Sequence, residues 1–363
     1  MDASVASEPA PSPDEAPTSR GETKLINLAL QGGGAHGAFT WGVLDRLLDD
    51  DRIGFDGISA TSAGAMNATV FASGMAAGGR DGAKKALAKF WRRISQATLT
   101  SPLQPTLLDR LFGQHSMGQS RGFVFSELMT RLFLPYEFNP LGQNPLRDAL
   151  LDSVDFTALT AKTCPIKLYL AATNVRTGKV KVFANSEISV DSVLASACLP
   201  FLFQAVEIDG EAYWDGGYTG NPPIFPLISI FPLIYNCSSG DVLIVQLSPG
   251  RREELPRSSI EILNRVNEIS FNSSLIREMR AIRFVTQLID DGYVANGSLR
   301  RMRIHAVAAD DVVTKLGVAS KLDANWDFLT GLRDIGRDRA GQWLDAHFNR
   351  LGVESTVDLQ AYM

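Results

Sequence analysis

The sequence predicts an open α/β fold in which short strands alternate with helices. Residues 25–30 are apolar and fit a buried strand, and residues 38–48 then carry apolar side chains at helical spacing. The same order recurs with a short run at 55–60 and a helical segment at 65–76. Alternation of this kind builds parallel sheets, whose ligands sit beyond the carboxyl ends of the strands.

The first strand-to-helix turn contains three consecutive glycines, Gly32, Gly33 and Gly34. They interrupt the apolar strand before the helix begins. Such a turn offers unpaired N–H groups from Gly33, Gly34 and Ala35. A cradle of this kind suits the oxyanion that forms when a serine attacks an ester.

The second turn reads Thr61-Ser62-Ala63-Gly64 and places a serine between a strand and a helix. A serine on a sharp strand-to-helix turn projects its oxygen clear of the backbone, provided that its neighbours are small. Ala60, Ala63 and Gly64 meet that condition. The N-terminus of the following helix favours negative charge at the serine. The two turns together predict an active site.

No histidine lies at an obvious position to serve Ser62 as a base. The chain has four histidines, His36, His115, His305 and His347. Far downstream, Asp209-Gly210 is a strong hairpin signal and is expected to be a turn. Asp215-Gly216-Gly217 follows the second hairpin strand, where two glycines leave room for the close approach of another backbone. A plain turn there is the alternative.

Three motifs occur in a fixed order along the chain, GGGAHG at 32–37, TSAG at 61–64 and DGG at 215–217. Together they resemble the patatin-like phospholipase family, and SACLP at 196–200 is similar to the S-x-x-x-P segment that precedes the aspartate in that family. The resemblance covers roughly residues 24–223. The elbow departs from the usual G-x-S-x-G, because Ala60 takes the place of the first glycine.

The resemblance implies a fold and a set of site residues. The fold is a three-layer α/β/α arrangement with a central, mostly parallel sheet, followed by C-terminal helices. Ser62 is the implied nucleophile, Asp215 the implied base, and Gly32, Gly33 and Gly34 form the implied oxyanion hole. The implied reaction is hydrolysis of a lipid ester through an acyl-Ser62 intermediate, as in a phospholipase A or lysophospholipase.

Five further residues are expected to support this site, namely His36, Gly37, Gly64, Gly216 and Gly217. Family members commonly place a basic residue near the glycine turn, so we interpret His36 as a support for that turn. Donation to the oxyanion or action as a base is the alternative role of His36. Thr61 and Asn67 flank the elbow and are expected to hold it by hydrogen bonds.

Two other functions stay open at this stage. Gly32-x-Gly34-x-x-Gly37 follows a strand and opens a helix, as a dinucleotide-binding fingerprint requires, although the acidic residues 49–51 precede the second strand rather than end it. The second alternative is a patatin-like binding module in which the altered elbow is inactive. Nothing in the chain identifies a head group.

Composition excludes several classes of protein. A net charge of −5 gives no support to nucleic-acid binding, which usually shows a basic patch. The three cysteines, Cys164, Cys198 and Cys237, have no metal or disulfide spacing, and there is no acidic calcium loop. We therefore expect no metal and no cofactor. Buried thiols and the lack of an 18-residue apolar run favour a cytoplasmic protein, with a lipid or other acyl ester as substrate and peripheral contact with the inner membrane face.

The chain is expected to divide into three parts. Residues 1–22 have the composition of a disordered tail, 23–310 form the catalytic domain, and 311–363 form a helical extension. Within the domain, residues 98–156 are repeatedly broken by proline and form either a mobile cap or a packed insertion. Residues 222–235 are the most apolar stretch, with a buried loop favoured over an exposed lip. The sequence does not predict an oligomeric state.

Further strands and helices are expected along the second half of the chain. The predicted strands are 166–172, 179–183 and 241–247, with a last one at 302–308. The predicted helices are 189–197, 260–289 and 326–351, and the glycine- and alanine-rich stretch 74–82 is expected to be a loop.

Overall fold

A computed structural model describes residues 23–98, 139, 144–227, 237–294, 299–316 and 318–362. The strands in this part of the chain are β1 Lys24–Leu30, β2 Ile53–Thr61, β3 Lys167–Asn174, β4 Val180–Ala184, β5 Val206–Ile208, β6 Glu211–Asp215, β7 Asp241–Gln246 and β8 Arg303–Ala308. The helices are α1 Gly37–Leu48, α2 Ala63–Thr98, α3 Pro145–Ser153, α4 Phe156–Thr160, α5 Val190–Ser196, α6 Ser259–Asp290, α7 Asp310–Val313 and α8 Trp326–His347.

The strands join in one sheet along the hydrogen-bonding path β5-β6-β3-β2-β1-β7-β8; β2 and β6 pair with successive parts of one edge of β3, and β4 pairs with its other edge. The five central and C-terminal strands β3, β2, β1, β7 and β8 run parallel, whereas β4 and β6 are antiparallel to β3. Helices cover both faces, and the C-terminal helix α8 completes the molecule. The predicted mostly parallel α/β/α fold is confirmed.

Strand β7 shows why both faces of the sheet are covered. Its successive apolar residues point to opposite faces, as strand geometry requires. Leu243 and Val245 pack into the larger core with α1 and α2, and Val242 and Ile244 pack into a second core with α6. All four side chains are at most 1% exposed. A continuous apolar run thus predicts a central strand with helices on either face.

Helix α8 packs closely along α1 through two glycines. A Cβ added at Gly42 of α1 would lie 1.9 Å from the Arg333 carbonyl oxygen. A Cβ at Gly336 of α8 would lie 2.1 Å from the Phe39 carbonyl oxygen. The absence of side chains at these two positions lets the helix backbones touch, and this contact fixes α8 against the helix that follows the glycine turn.

The strand and helix predictions agree with the structure except at residues 74–82. These residues are helical apart from Gly78 and Gly79, so the predicted loop shrinks to a two-residue break within α2. The chain doubles back there, because a Cβ at Gly74 would lie 2.5 Å from the Cα of Ala83. The small residues that suggested a loop also permit two helical segments to pack tightly on either side of the chain reversal.

Two hypotheses of the sequence analysis fall mostly outside the described residues. The mobile cap was assigned to 98–156, of which 99–138 and 140–143 lie outside the described part. The exposed lip was assigned to 222–235, of which 228–235 likewise lie outside it. In the described portion, Ile224 and Leu227 are fully buried, in agreement with a buried loop at that point.

Candidate active site

Ser62 occupies the sharp turn between β2 and α2. Its φ of 56° lies in the left-handed region, which is uncommon for a residue other than glycine and marks a strained turn. The Ser62 N–H donates to the Ser196 hydroxyl over 3.0 Å, and the residue is 9% exposed. Ala60 at the altered elbow position is fully buried in the core, so its methyl group is accommodated.

The elbow needs its small residues because other backbones approach it closely. A Cβ at Gly64 would lie 2.2 Å from the Leu30 carbonyl oxygen, so only glycine lets α2 start against β1. A Cβ at Gly37 would lie 2.8 Å from the Ala63 side chain. Asn67 donates to the carbonyl oxygens of Gly37 and Ala63 over 3.0 and 3.1 Å and so ties α1 to α2. Gly37 and Gly64 therefore allow the close contacts that hold α1, α2 and β1 together at the elbow.

Asp215 ends β6 and is completely buried. Its Oδ1 accepts the Gly217 N–H over 2.7 Å, and its own N–H donates to the Cys198 carbonyl oxygen over 2.7 Å. Burial raises the pKa of the Asp215 carboxyl to about 7, against the lowering effects of the Gly217 N–H and of the Ser62 side chain. A carboxyl with this pKa is a far better proton acceptor than an ordinary aspartate.

The two carboxylate oxygens of Asp215 differ in their contacts. Among the described residues, Oδ2 has no hydrogen-bond partner of good geometry. The neighbouring Ser62 side chain nevertheless lowers the Asp215 pKa. The Ser62 side chain and the Asp215 carboxyl are therefore neighbours.

The two glycines after Asp215 allow a close approach, as one reading of DGG expected. A Cβ at Gly216 would lie 2.2 Å from the Ala171 carbonyl oxygen on β3, and one at Gly217 would lie 2.7 Å from the Phe271 ring on α6. Gly217 also supplies the N–H that Asp215 accepts. Gly216 and Gly217 thus position the carboxyl between β3 and α6.

The three glycines of the first turn play different parts. A Cβ at Gly32 would lie 2.6 Å from the Ser62 Cβ, so the turn packs directly on the serine. The Gly32 N–H, however, donates to Asn221 Oδ1 over 2.7 Å. In the described part of the chain, the N–H groups of Gly33 and Gly34 have no acceptor. Gly33 and Gly34 are therefore the two glycines of this turn whose N–H groups are free to bind an oxyanion.

His36 is buried at the start of α1 and is 1% exposed. Its Nε2 shares a hydrogen bond of 2.7 Å with the Ser320 hydroxyl. Burial, with a contribution from the Lys321 charge, lowers the pKa of His36 to about 3, so the ring is neutral near pH 7. These contacts favour the supporting role of His36 over a role as a base.

Asn221 belongs to the site although the sequence gave no indication of it. Its side chain accepts the Gly32 N–H, and its backbone carbonyl accepts from Gln31 Nε2 over 3.1 Å. The preceding Gly220 carbonyl accepts from the Thr61 hydroxyl over 2.6 Å. The loop after Asp215 is in this way tied to both turns.

The Cys198 thiol is buried and hydrogen-bonded. Burial raises the pKa of the Cys198 thiol to about 12, and its Sγ donates to the Gln204 carbonyl oxygen over 3.0 Å. Cys198 is therefore a packed core thiol.

No cluster of three metal-ligating side chains occurs within the described ranges. None of the helices in those ranges combines the length and hydropathy needed to cross a membrane.

The chain is similar to several known proteins. Uncharacterized protein R571 of Acanthamoeba polyphaga mimivirus is 25% identical over 209 residues, which are 56% of this chain and 61% of that protein. VipD from Legionella pneumophila has a solved structure with 17% identity and a TM-score of 0.43, over 92% of this chain and 70% of VipD. ExoU of the Pseudomonas aeruginosa type III secretion system, solved in complex with SpcU, has 18% identity and a TM-score of 0.34, over 91% of this chain and 53% of that one.

The family assignment rests on a different comparison. The family model described as Patatin-like phospholipase matches residues 28–228, which are more than half of the chain. The matched range contains the glycine turn, the serine elbow and the DGG motif. The chain belongs to the patatin-like phospholipase family.

Proposed function

We propose that this protein is a serine acyl hydrolase that cleaves a carboxylic ester of a lipid, in the manner of a phospholipase A or a lysophospholipase. Family membership supports a lipid hydrolase. The observation that carries the proposal is the juxtaposition of Ser62 on its strained turn with the buried carboxyl of Asp215, beside the free N–H groups of Gly33 and Gly34.

The chemistry follows from these groups. Asp215 Oδ2 accepts the proton of the Ser62 hydroxyl as the oxygen attacks the ester carbonyl carbon. The N–H groups of Gly33 and Gly34 receive the oxyanion, and one such donor is typically worth about 3 kcal/mol of the barrier. Protonated Asp215 then gives the proton to the departing alcohol. Water, deprotonated by Asp215, attacks the acyl-Ser62 ester. The bond between the acyl carbon and Ser62 Oγ then breaks, Asp215 returns the proton to Oγ, and the fatty acid is released.

The nucleotide-binding alternative loses support at the glycine turn. A dinucleotide fingerprint needs glycines so that a pyrophosphate can approach the backbone. Here the space beside Gly32 is occupied by Ser62, and the space beside Gly34 by the Lys321 carbonyl oxygen. The glycines therefore serve contacts within the protein. The inactive binding module is the alternative that experiment has to separate, because the elbow carries Ala60 in place of the usual glycine.

The test is hydrolysis of a short-chain p-nitrophenyl ester by the purified protein and three variants. We expect Ser62→Ala and Asp215→Asn to abolish turnover. Asp209→Asn is the matched control, because Asp209 lies in the exposed β5–β6 hairpin with a φ of 52°, a conformation that asparagine tolerates. The control should retain wild-type turnover.

A covalent probe separates the hydrolase from the binding module. A fluorophosphonate should modify Ser62 in the wild type, detected by mass spectrometry of the peptide, and should leave Ser62→Ala unlabelled. A folded wild type that neither turns over the ester nor reacts with the probe would refute the hydrolase. Release of fatty acid from phospholipid, lysophospholipid and glyceride then identifies the substrate.

The cellular setting and the domain limits belong to the same proposal. We place the hydrolase in the cytoplasm, with peripheral contact at the inner membrane face bringing the lipid to the site. Residues 23–310 carry the site and 311–363 extend it. Sedimentation with phosphatidylcholine vesicles tests the contact, and its absence at every lipid concentration would contradict it.

A further inference from the structure

The glycine turn rests on a segment that lies beyond the residues matched by the family model. Gly34 has a φ of +60°, and a Cβ added there would lie 2.3 Å from the carbonyl oxygen of Lys321. Lys321 belongs to the 3-10 turn Val318–Leu322. Only glycine combines this backbone conformation with so close a contact. The position of Gly34 is thus set by a backbone nearly 290 residues away along the chain.

A second contact joins the same two segments. His36 ends the 3-10 turn that contains Gly34 and shares its Nε2 hydrogen bond of 2.7 Å with Ser320. Nδ1 of His36 has no partner within the described part of the chain, so the bond to Ser320 orients the ring there. The His36 N–H in turn donates to the Gly33 carbonyl oxygen over 3.3 Å. A fixed ring therefore restrains the peptide groups of Gly33 and Gly34.

The 3-10 turn is itself anchored to α6. Lys321 Nζ donates to Asn264 Oδ1 over 2.7 Å and lies 3.9 Å from Glu268 Oε1. The Glu268 side chain is 1% exposed and accepts two hydrogen bonds from Arg252, at 2.7 and 2.8 Å. A buried carboxylate with several donors is a rigid anchor, because loss of any donor leaves charge unpaired. One turn further along α6, Phe271 packs on Gly217 beside Asp215.

We propose that Ser320 and Lys321 are positioning residues that hold the N–H groups of Gly33 and Gly34 in the direction of the oxyanion. The two residues act through the backbone of the glycine turn and through His36. Stabilisation of an oxyanion depends on donors that are oriented before the reaction, so a turn released from this support loses rate rather than substrate affinity. The catalytic part of the inference rests on the proposed hydrolase function, and the structural part does not.

The kinetic test compares two substitutions at one position. Ser320→Ala removes the hydroxyl that His36 contacts, and Ser320→Thr keeps it. We expect Ser320→Ala to lower kcat for a soluble p-nitrophenyl ester by about tenfold, with KM within twofold of wild type, since small displacements of catalytic groups cost rates of this order. Ser320→Thr should restore most of kcat. Equal kcat values for wild type and Ser320→Ala would overturn the proposal.

A second readout does not depend on activity. Hydrogen exchange measured on a peptide spanning residues 31–37 should be faster in Ser320→Ala than in wild type and Ser320→Thr, while peptides from β7 are unchanged. If the wild type proves inactive, faster exchange still supports the positioning role, and unchanged exchange refutes it. The failure of the hydrolase and the failure of the positioning role are in this way distinguished.

A further variant covers the case in which Ser320→Ala does not fold. Lys321→Met removes the hydrogen bond to Asn264 and keeps Ser320 and the Lys321 carbonyl oxygen. It should lower kcat and speed exchange at residues 31–37 in the same direction. Lys315→Met is the matched control, because Lys315 is exposed on the same segment. The same loss of kcat in both lysine variants would contradict the proposal.

Discussion

Thr61 and Asp215 occupy consecutive places along one edge of β3, where Thr61 pairs with Ala171 and Asp215 with Ala172. Strand β4 pairs with the opposite edge of both alanines, so β2 and β6 lie on the same side of β3 and meet end to end. Ser62 follows Thr61 directly. The meeting of two strand ends, one parallel and one antiparallel, therefore brings Ser62 close to the Asp215 carboxyl.

The rate of ester hydrolysis should rise as the pH increases through about 7. The base must be ionised, and burial raises the pKa of Asp215 to about 7. The ordinary aspartate value near 4 would give a flat profile from pH 5 upward. A profile of kcat/KM between pH 5 and 9 measures this, and a flat profile in that window contradicts the assignment of Asp215 as base.

Glu278 needs its own control in that experiment. Its carboxylate accepts the N–H groups of Ile224 and Phe225, and burial raises its pKa to about 7 as well. Glu278→Gln keeps an acceptor oxygen and removes the titration. The apparent pKa of the rate profile should be unchanged in this variant, whereas a shift would assign the profile to Glu278.

Asp215→Asn should become more stable relative to wild type as the pH rises. The folded pKa of about 7 lies above the ordinary aspartate value of 3.8, so the wild-type carboxyl stabilises the folded state fully below about pH 4 and loses that contribution as the pH rises through 7. The difference in unfolding free energy should grow by at most ~1.4 kcal/mol per pH unit in that window. Urea unfolding at pH 5, 6, 7 and 8 measures it, and a difference that falls with pH contradicts the raised pKa.

Gly32→Ala should abolish most activity. The new Cβ would lie 2.6 Å from the Ser62 Cβ and 3.2 Å from the Thr61 carbonyl oxygen, so the elbow has to move. A shift of about 1 Å typically costs about a hundredfold in rate. Gly331→Ala is the control, because a Cβ there meets nothing within 4 Å. Steady-state rates of both variants test this prediction. An active Gly32→Ala would show that the close approach of Gly32 to Ser62 is dispensable.

Ser196→Ala should destabilise the protein and slow the reaction. The variant leaves the buried Ser62 N–H without its acceptor, which typically costs about 1–3 kcal/mol. Ser153→Ala is the matched control, since the Ser153 hydroxyl is buried and has no partner among the described residues. Thermal unfolding should separate the two. Equal losses of thermal stability in the two variants would show that the Ser196 hydroxyl contributes through its packing and not through its hydrogen bond to Ser62.

Local sequence signals were sufficient for the strands, the two turns and the DGG motif. Gly64 and Gly216 can be predicted from the sequence, because the turns that require them lie within a few residues. Asn221 and Ser320 cannot be predicted from local sequence, since their hydrogen-bond partners Gly32 and His36 are 189 and 284 residues away. A single sequence carries no record of which distant hydrogen-bonding groups will meet.

Helix α6 shows the same limit for a whole element. Apolar periodicity predicted a helix at 260–289, and the structure has one at Ser259–Asp290. The period did not reveal that its two halves differ. Leu275, Met279 and Ile282 are buried against the sheet, whereas Val266 and Ile269 are more than half exposed. In the first half the buried positions are instead the polar Asn264, Glu268 and Asn272, so which stripe is covered is a property of the assembled fold.

The contact between Gly34 and Lys321 also bears on biosynthesis. The ribosome makes the glycine turn, the serine elbow and the aspartate first, and it adds Lys321 only after another hundred residues have followed Asp215. A nascent chain that has not reached residue 321 lacks the surface on which Gly34 packs. The order of synthesis thus delays the contact between Gly34 and Lys321 until most of the chain is made.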